Sequence, residues 1–511
     1  MNLPSILFER PEDQTRAETA KAPECFGDLN LDQIVAEITA GKDAYNLKPF
    51  LYAPLRDIDA LEYRHQVFRD LEDKTLLEHI KSFAQKMRRV REQLEQADKL
   101  SYQYQKERWF LDAVETYCDA AQQLAQDLTR FDLRARGLLA FREYLTSYLQ
   151  AEPFSSLVAE TKQLQIDLST IRYCFRIKDN SIKVRKYEGE ADYSAEVTAT
   201  FEKFRQGAVR DYRAKLPNWP EMNHVEARVL DFVAQLHPDI FERLDDFCAR
   251  HMNFIDETLC TFDREIQFYV AYLDYMAIFQ HAHLRFCYPR LSTTDKRISN
   301  DAGFDLALAY KLRLQNASIV CNDFYLRDPE RILVVTGPNQ GGKTTFARVF
   351  GQLHYLASLG CPVPGRQAQL FLFDQLLTHF EREEDIENLR GKLEDDLFRV
   401  HAILAQATSS SIIILNEIFT STTLSDAVFL SKEVLERIIA LDLVCVCVTF
   451  IDELTSFSKK TVSMVSMVVP ENPTHRTFKI VRRRADGLAY AISIAEKYRL
   501  TYAILKERLN V

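Results

Sequence analysis

Glycine is scarce in this chain, with 14 residues in 511, five of them before residue 301 and nine after it. A glycine-poor front half rich in Glu, Gln, Leu and Arg favours long helices and excludes a collagen-like or glycine-linker chain. Long apolar runs are also missing, since no stretch reaches about 18 consecutive apolar residues. The opening MNLPSILFERPEDQ carries too short an apolar segment for a signal peptide. The pattern therefore predicts neither secretion nor a membrane-spanning helix, and it predicts a cytoplasmic protein. There is no basic excess: 65 Lys and Arg stand against 74 Asp and Glu, a net charge of −9. That balance excludes a chain that coats nucleic acid by its overall charge, so any nucleic-acid contact has to be local. The ten cysteines form no paired framework. The nearest two, in Cys445-Val446-Cys447, alternate inside an apolar run as strand residues do, which predicts core thiols in a reducing compartment.

What is present is 47% apolar and 27% charged residues, enough for large cores. At about 150 residues per domain the length suits two to four domains. Residues 1–24 are polar, carry Pro4, Pro11 and Pro23, and read as a loose arm. A mainly helical region follows from 25 to 302. Apolar positions recur three and four apart in it, as at Ile80, Phe83, Met87 and Val90. From 303 to 511 the pattern becomes strand, loop, helix. Arg331–Val335, Ser411–Leu415 and Leu443–Val448 are short apolar runs suited to strands buried on both faces, with helical patterns such as Asp426–Ala440 between them. That alternation predicts an α/β domain with a mostly parallel sheet.

Within the helical region the period drops from 3.6 to 2. Ile171, Tyr173, Phe175 and Ile177 alternate with Arg172, Cys174, Arg176 and Lys178. After Asp179-Asn180-Ser181, Ile182 and Val184 alternate with Lys183 and Arg185. This predicts a hairpin with one apolar and one basic face. Six basic residues and one acid over 171–187 give a local excess of positive charge that suits nucleic-acid phosphates; a solvated strand face is the other reading of the same residues.

The strongest local signal is Gly337-Pro338-Asn339-Gln340-Gly341-Gly342-Lys343-Thr344, which satisfies G-x-x-x-x-G-K-[ST]. It follows a strand pattern and precedes a helical one from Thr345 to Leu359. Glycines allow backbone N–H groups to point inward at phosphate oxygens, and the following helix N-terminus adds a favourable dipole. Lys343 can reach the β and γ phosphates, and the Thr344 hydroxyl can ligate Mg²⁺, so the expected cofactors are ATP and magnesium. Asn416-Glu417, after the Ser411–Leu415 strand, puts Glu417 where it can orient or deprotonate water. Asn416 stands where an aspartate normally helps hold the metal.

TGPNQGGKTT followed by FARVFGQLHYLASLGCPVPG closely resembles the ATPase module of the MutS mismatch-recognition family. Further matches follow in order: Glu383-Glu384-Asp385-Ile386, Leu415-Asn416-Glu417-Ile418, Thr422, Asp426, Val448-Thr449 and Glu453-Leu454-Thr455. The ordered match covers about residues 315–500. The resemblance implies an ABC-type P-loop ATPase domain at 303–511, a helical core and lever domain at 25–302, and a clamp-like insertion at the 171–187 ribbon. It implies nucleotide contacts along Thr336–Thr345, Asn322 near the adenine, and Thr344 and Asn416 serving Mg²⁺. It further implies a homodimer that clamps duplex or branched DNA in repair or recombination, with Arg172, Arg176, Lys183 and Arg185 on phosphates. The departures fall around the loop. The family's switch histidine is Phe450, its trans signature is replaced by Gly391-Lys392, and its glycine-rich turn becomes Phe419-Thr420-Ser421-Thr422-Thr423. ATP binding survives such changes better than fast hydrolysis does, which leaves a nucleotide-gated interaction switch as the alternative. The family's mismatch-reading domain with its Phe-x-Glu wedge has no visible counterpart; Phe141-Arg142-Glu143 fits the letters but lies in a helical pattern.

Overall fold

The computed structural model describes residues 4–178, 181–190, 196, 199–200, 222–280, 282–315, 317–381, 391–469 and 472–485. The chain divides into two compact units. One comprises residues 1–4, 73–133 and 139–263; the other comprises 5–72, 134–138 and 264–511.

The first unit is built on two long helices, Lys74–Lys99 and Gln103–Arg130, paired through the stripe that the sequence spacing predicts. Leu76, Ile80, Phe83, Met87 and Val90 are buried along one face, so Arg88 and Arg89 of the basic run lie on the solvated side. Asp73 caps the first helix, accepting from Thr75 N and Leu76 N. Phe141 is fully buried and stacks on Phe262 at 3.7 Å, which makes it a core residue. A hairpin follows the helix Glu152–Thr170. Its strands β1 (Tyr173–Lys178) and β2 (Ser181–Lys186) pair antiparallel, with Cys174 opposite Arg185, Arg176 opposite Lys183 and Lys178 opposite Ser181. The turn residues Asp179 and Asn180 lie outside the described residues. Val184 and Ile171 pack on Val233, Ala234 and Phe241, the first two from the helix His224–Leu236. That fixes the apolar side and leaves the basic side to solvent.

Among the described residues the second unit holds three sheets. Strands β3 (Phe286–Cys287), β4 (Arg290–Ser292), β5 (Ile298–Gly303) and β6 (Asn322–Leu326) precede β7 (Ile332–Thr336). Strands β8 (Val363–Pro364), β9 (Gln367–Phe371), β10 (Leu376–His379) and β11 (Ile412–Asn416) follow, then β12 (Val444–Val448), β13 (Thr461–Val469) and β14 (Asn472–Arg482). The main sheet runs β10-β11-β12-β7-β13-β14, parallel except for its last strand. A second sheet runs β4-β9-β5-β6, and β3 pairs with β8. Every residue of β7, β11 and β12 is buried, which explains why these strands read as unbroken apolar runs. One face carries Ile413, Leu415, Cys445 and Cys447 against the helices Lys392–Gln406 and Leu424–Leu441. All ten cysteines are free, and burial pushes the Cys447 thiol up to about 12. Among the described residues no helix is long and apolar enough to cross a membrane.

The division of the chain drawn from composition is corrected here. Residues 5–72 and 264–302 fold with the C-terminal sheets, although their composition matches that of the helical region. They cover the helix Lys343–Ser358, whose residues are buried nearly all round. Gln352 Nε2 donates to Leu29 O at 2.9 Å, Tyr355 Oη donates to Leu51 O at 2.9 Å, and Phe26 meets Tyr355 edge-on. A Cβ at Gly351 would lie 2.6 Å from Leu29 and 2.9 Å from Ile414, so this close approach needs glycine. The segment read as a loose arm is docked as well. Ile6, Leu7 and Phe8 are buried, and Pro11–Glu18 is helical. Local polarity and prolines concealed this because the partner, Glu265, lies some 260 residues away.

Glu265 accepts from Ser5 Oγ and from the Ile6 and Leu7 amides. Burial outweighs these bonds and the Arg64 charge, and pushes its carboxyl up from 4.5 to about 7. A carboxyl raised on folding contributes stability that is fully present below the unfolded value and lost as pH rises through the folded one. We therefore expect Glu265→Gln, which keeps an acceptor and cannot ionise, to gain melting temperature relative to the parent between about pH 4.5 and pH 7. A difference that is flat with pH overturns this assignment.

Candidate nucleotide site

The loop between β7 and the helix Lys343–Ser358 lies at the C-terminal ends of the parallel strands, where open α/β sheets place their ligand crevices. Gly337, Gln340 and Gly342 all take positive φ, at 116°, 59° and 89°, and so fold the chain back on itself. The loop rests on β13: Ser466 Oγ donates to Gly341 O at 2.7 Å, and a Cβ at Gly341 would come within 2.3 Å of that oxygen. Space alone thus requires glycine at 341.

The Lys343 side chain is 4% exposed. Its Nζ donates to Gly337 O at 3.0 Å and to Asn339 Oδ1 at 3.1 Å, and it lies 3.7 Å from Glu417 Oε1. Burial lowers its pKa, and Glu417 opposes that shift. Thr344 Oγ1 donates to Asn416 Oδ1 at 3.0 Å. Asn416 ends β11, two strands from β7, and Glu417 follows it with φ 56° while its amide donates to Val448 O at 2.9 Å. Sequence positions some 70 residues apart thus meet in one polar cluster. Loop oxygens occupy the Lys343 ammonium where phosphate oxygens would compete for it. Paired Thr344 and Asn416 oxygens suit a hard, oxygen-seeking cation. The donor set fits a magnesium nucleotide.

Other sequence-predicted residues are placed as follows. Pro338 O lies 3.4 Å from Lys343 Nζ, and Thr345 is in the first turn of the helix. Asn322, on β6, clamps β14: its Nδ2 donates to Phe478 O at 3.1 Å and its Oδ1 accepts from Ile480 N at 2.8 Å. Its amide therefore acts on the strand, and Phe478 is what comes near the loop, 3.7 Å from where a Gly342 Cβ would lie. Thr423 caps the helix Leu424–Leu441 together with Asp426. Phe450 is exposed. Lys392 opens its helix ion-paired to Glu381. Glu383-Glu384-Asp385-Ile386 lie outside the described residues. Sequence reasoning missed Ser466, Phe478 and Arg476, whose Nε donates to Asn339 O at 3.3 Å. These sit on β13 and β14, strands without a local motif, so only the long-range pairing of β13 with β7 brings them to the loop.

On the hairpin, Arg172, Arg176, Lys183 and Arg185 are all exposed. Arg185 pairs with Glu190 at 2.7 Å. Arg176 and Lys183 face each other across the strands, and among the described residues neither has an ion-pair partner. Tyr173 and Phe175 are exposed on the other side.

A parallel sheet with a glycine loop, a buried lysine and an Asn-Glu strand end defines the class, and residues 333–510 match the family model described as MutS domain V. Relatives point the same way. The DNA mismatch repair protein MutS of Thermotoga neapolitana is 25% identical over 275 residues, 53% of this chain and 33% of that protein. The same-named protein of Orientia tsutsugamushi strain Boryong is 27% identical over 44% of this chain and 26% of its own length. That of Rickettsia prowazekii is 32% identical over 28% and 17%. The likeness to MutS domain V thus lies in residues 333–510, and the matches cover about a third or less of the length of these relatives.

Proposed function

We propose that this chain binds ATP with magnesium at the 337–344 loop and couples the nucleotide to DNA held at the 173–186 hairpin, in the manner that relatives named for DNA mismatch repair suggest. The observation that carries the nucleotide half is the convergence of Lys343, Thr344, Asn416 and Glu417 at the strand ends. Magnesium nucleotide supplies the phosphoryl group that is transferred to water. Lys343 exchanges its loop acceptors for phosphate oxygens, Thr344 and Asn416 hold the cation, and Glu417 orients water and accepts its proton. The module dimerises so that a second copy closes over the site.

The observation that carries the DNA half is the Arg176–Lys183 pair. Like charges directly across a hairpin destabilise it unless an anion lies over them. A phosphate backbone supplies that anion. Asn416 in place of a carboxylate weakens metal binding, and this favours a second reading, a nucleotide-gated switch with little turnover.

ATP turnover measured with homoduplex, mismatched, branched and single-stranded DNA separates the two. DNA-stimulated turnover supports the ATPase; tight ATP binding with negligible turnover supports the switch. In the same assay Arg176→Glu with Lys183→Glu should weaken DNA binding and reduce the magnitude of its log–log salt slope by about two. An unchanged slope makes the hairpin's charge a solvated face only.

A further inference from the structure

Away from the 337–344 loop, the second unit contains a cleft of about 340 Å³ that neither the nucleotide nor the DNA reading uses. Its size falls in the range of small-molecule sites, about 300–1,000 Å³. Its walls come from five separate stretches knitted by hydrogen bonds. Gly365 N donates to Arg285 O at 2.8 Å, and Arg366 N donates to Asp301 O at 2.8 Å. Ala302 N donates to Asp323 Oδ1 at 2.7 Å, and Lys479 Nζ donates to Cys321 O. The backbone is shaped to leave the hollow. Gly365 has φ 140° and a Cβ there would lie 2.5 Å from Asn300 Nδ2, while Ala302 holds φ 59° without being glycine.

The lining is charged in a specific way. Arg285, Arg366 and Lys479 supply three cations, and Asp301 and Asp323 supply two carboxylates. Among the described residues neither guanidinium has a carboxylate partner, although both acids line the same cleft. Burial raises the Cys321 thiol at the cleft wall, Lys479 and Arg366 oppose that rise, and Asp323 adds to it. Guanidinium groups with no partner are suited to bidentate contact with a phosphate. The two carboxylates repel a bare polyanion and accept from hydroxyl donors. The matching ligand is anionic at one end and hydroxylated along the rest.

We propose that this cleft is a second ligand site, taking a phosphate monoester on a sugar, with the phosphate on Arg285, Arg366 and Lys479 and the sugar hydroxyls on Asp301 and Asp323. A free nucleoside monophosphate and the 5′-phosphate end of a nucleic acid both carry that chemistry. The site borders the nucleotide loop through one residue: Cys321 and Asp323 flank Asn322, whose amide holds β14 on either side of Lys479. A ligand here therefore bears on the strand that places Phe478 beside Gly342.

The test is calorimetric titration of the full chain with uridine 5′-monophosphate and with uridine. It uses the parent, Lys343→Ala, and Arg285→Ala combined with Arg366→Ala, with melting temperatures to confirm that each variant folds. Uridine monophosphate should bind the parent and Lys343→Ala alike and weaken about tenfold or more in the arginine variant, while uridine should not bind. Competition by a 5′-phosphorylated oligothymidylate, and not by its unphosphorylated form, assigns the site to nucleic-acid ends; no competition assigns it to the free nucleotide. Absence of binding to the parent overturns the proposal, as does binding that is lost in Lys343→Ala and kept in the arginine variant. The affinity of the parent and of Lys343→Ala for magnesium ATP is read separately, so failure of the cleft and failure of the loop assignment remain distinguishable.

Discussion

Replacing Lys343 with alanine should abolish nucleotide binding while leaving the fold in place. The ammonium is buried at the mouth of the loop and held by Gly337 O and Asn339 Oδ1, so it is already oriented when phosphate arrives. A hydrogen bond involving a charged group contributes about 1.5–3 kcal/mol. Loss of two such bonds to phosphate amounts to about 3–6 kcal/mol, or roughly a hundredfold to ten-thousandfold in affinity. The loop itself should persist, because Ser466 and the glycine φ angles define it independently of the lysine. Titration with magnesium ATP, alongside thermal melting, measures both quantities. Unchanged affinity in a folded variant would remove the loop's assignment as a phosphate cradle.

The second large effect is expected for Glu417→Gln. The carboxylate stands at the end of β11, beside the Thr344–Asn416 pair and 3.7 Å from Lys343 Nζ. Glutamine preserves the shape and tolerates the same backbone as glutamate, but it cannot take a proton. A general base contributes about 10²–10⁴-fold, so single-turnover hydrolysis should fall by that factor while ATP affinity stays within a few-fold. Trapped ATP and a persistent dimer in solution are the accompanying outcome. Normal turnover would show that Glu417 acts only as a counter-ion to Lys343.

Much of this site could be read in the sequence because its chemistry is local. The strand before Gly337, the loop and the helix after it are consecutive, and so are Leu415, Asn416 and Glu417. The apolar runs of β7, β11 and β12 predict strands buried on both faces, and the alternation at 171–187 predicts the hairpin; each pattern reflects a repeating backbone period. What stayed hidden depends on partners far along the chain. Residues 5–72 look like more of the helical region, yet Leu29 and Leu51 accept bonds from the helix Lys343–Ser358. Asn322 reads as a ligand position, whereas its amide is occupied in fastening β14. The loop's floor at Ser466, its neighbour Arg476 and the cleft beside Lys479 all depend on β13 and β14, where no spacing marks them out.

The Leu29–Gln352 bond closes a span of 323 residues, and that span has a consequence for timing. At about 5–20 residues per second, a ribosome needs roughly 15–60 s to travel from one partner to the other. Throughout that interval the side chains of Phe26 and Leu29 have no helix Lys343–Ser358 to cover. The helix that presents Lys343 reaches its buried setting only after both distant segments exist. The loop proposed to hold nucleotide thus gains its packed setting only after a long stretch of synthesis separates it from Leu29.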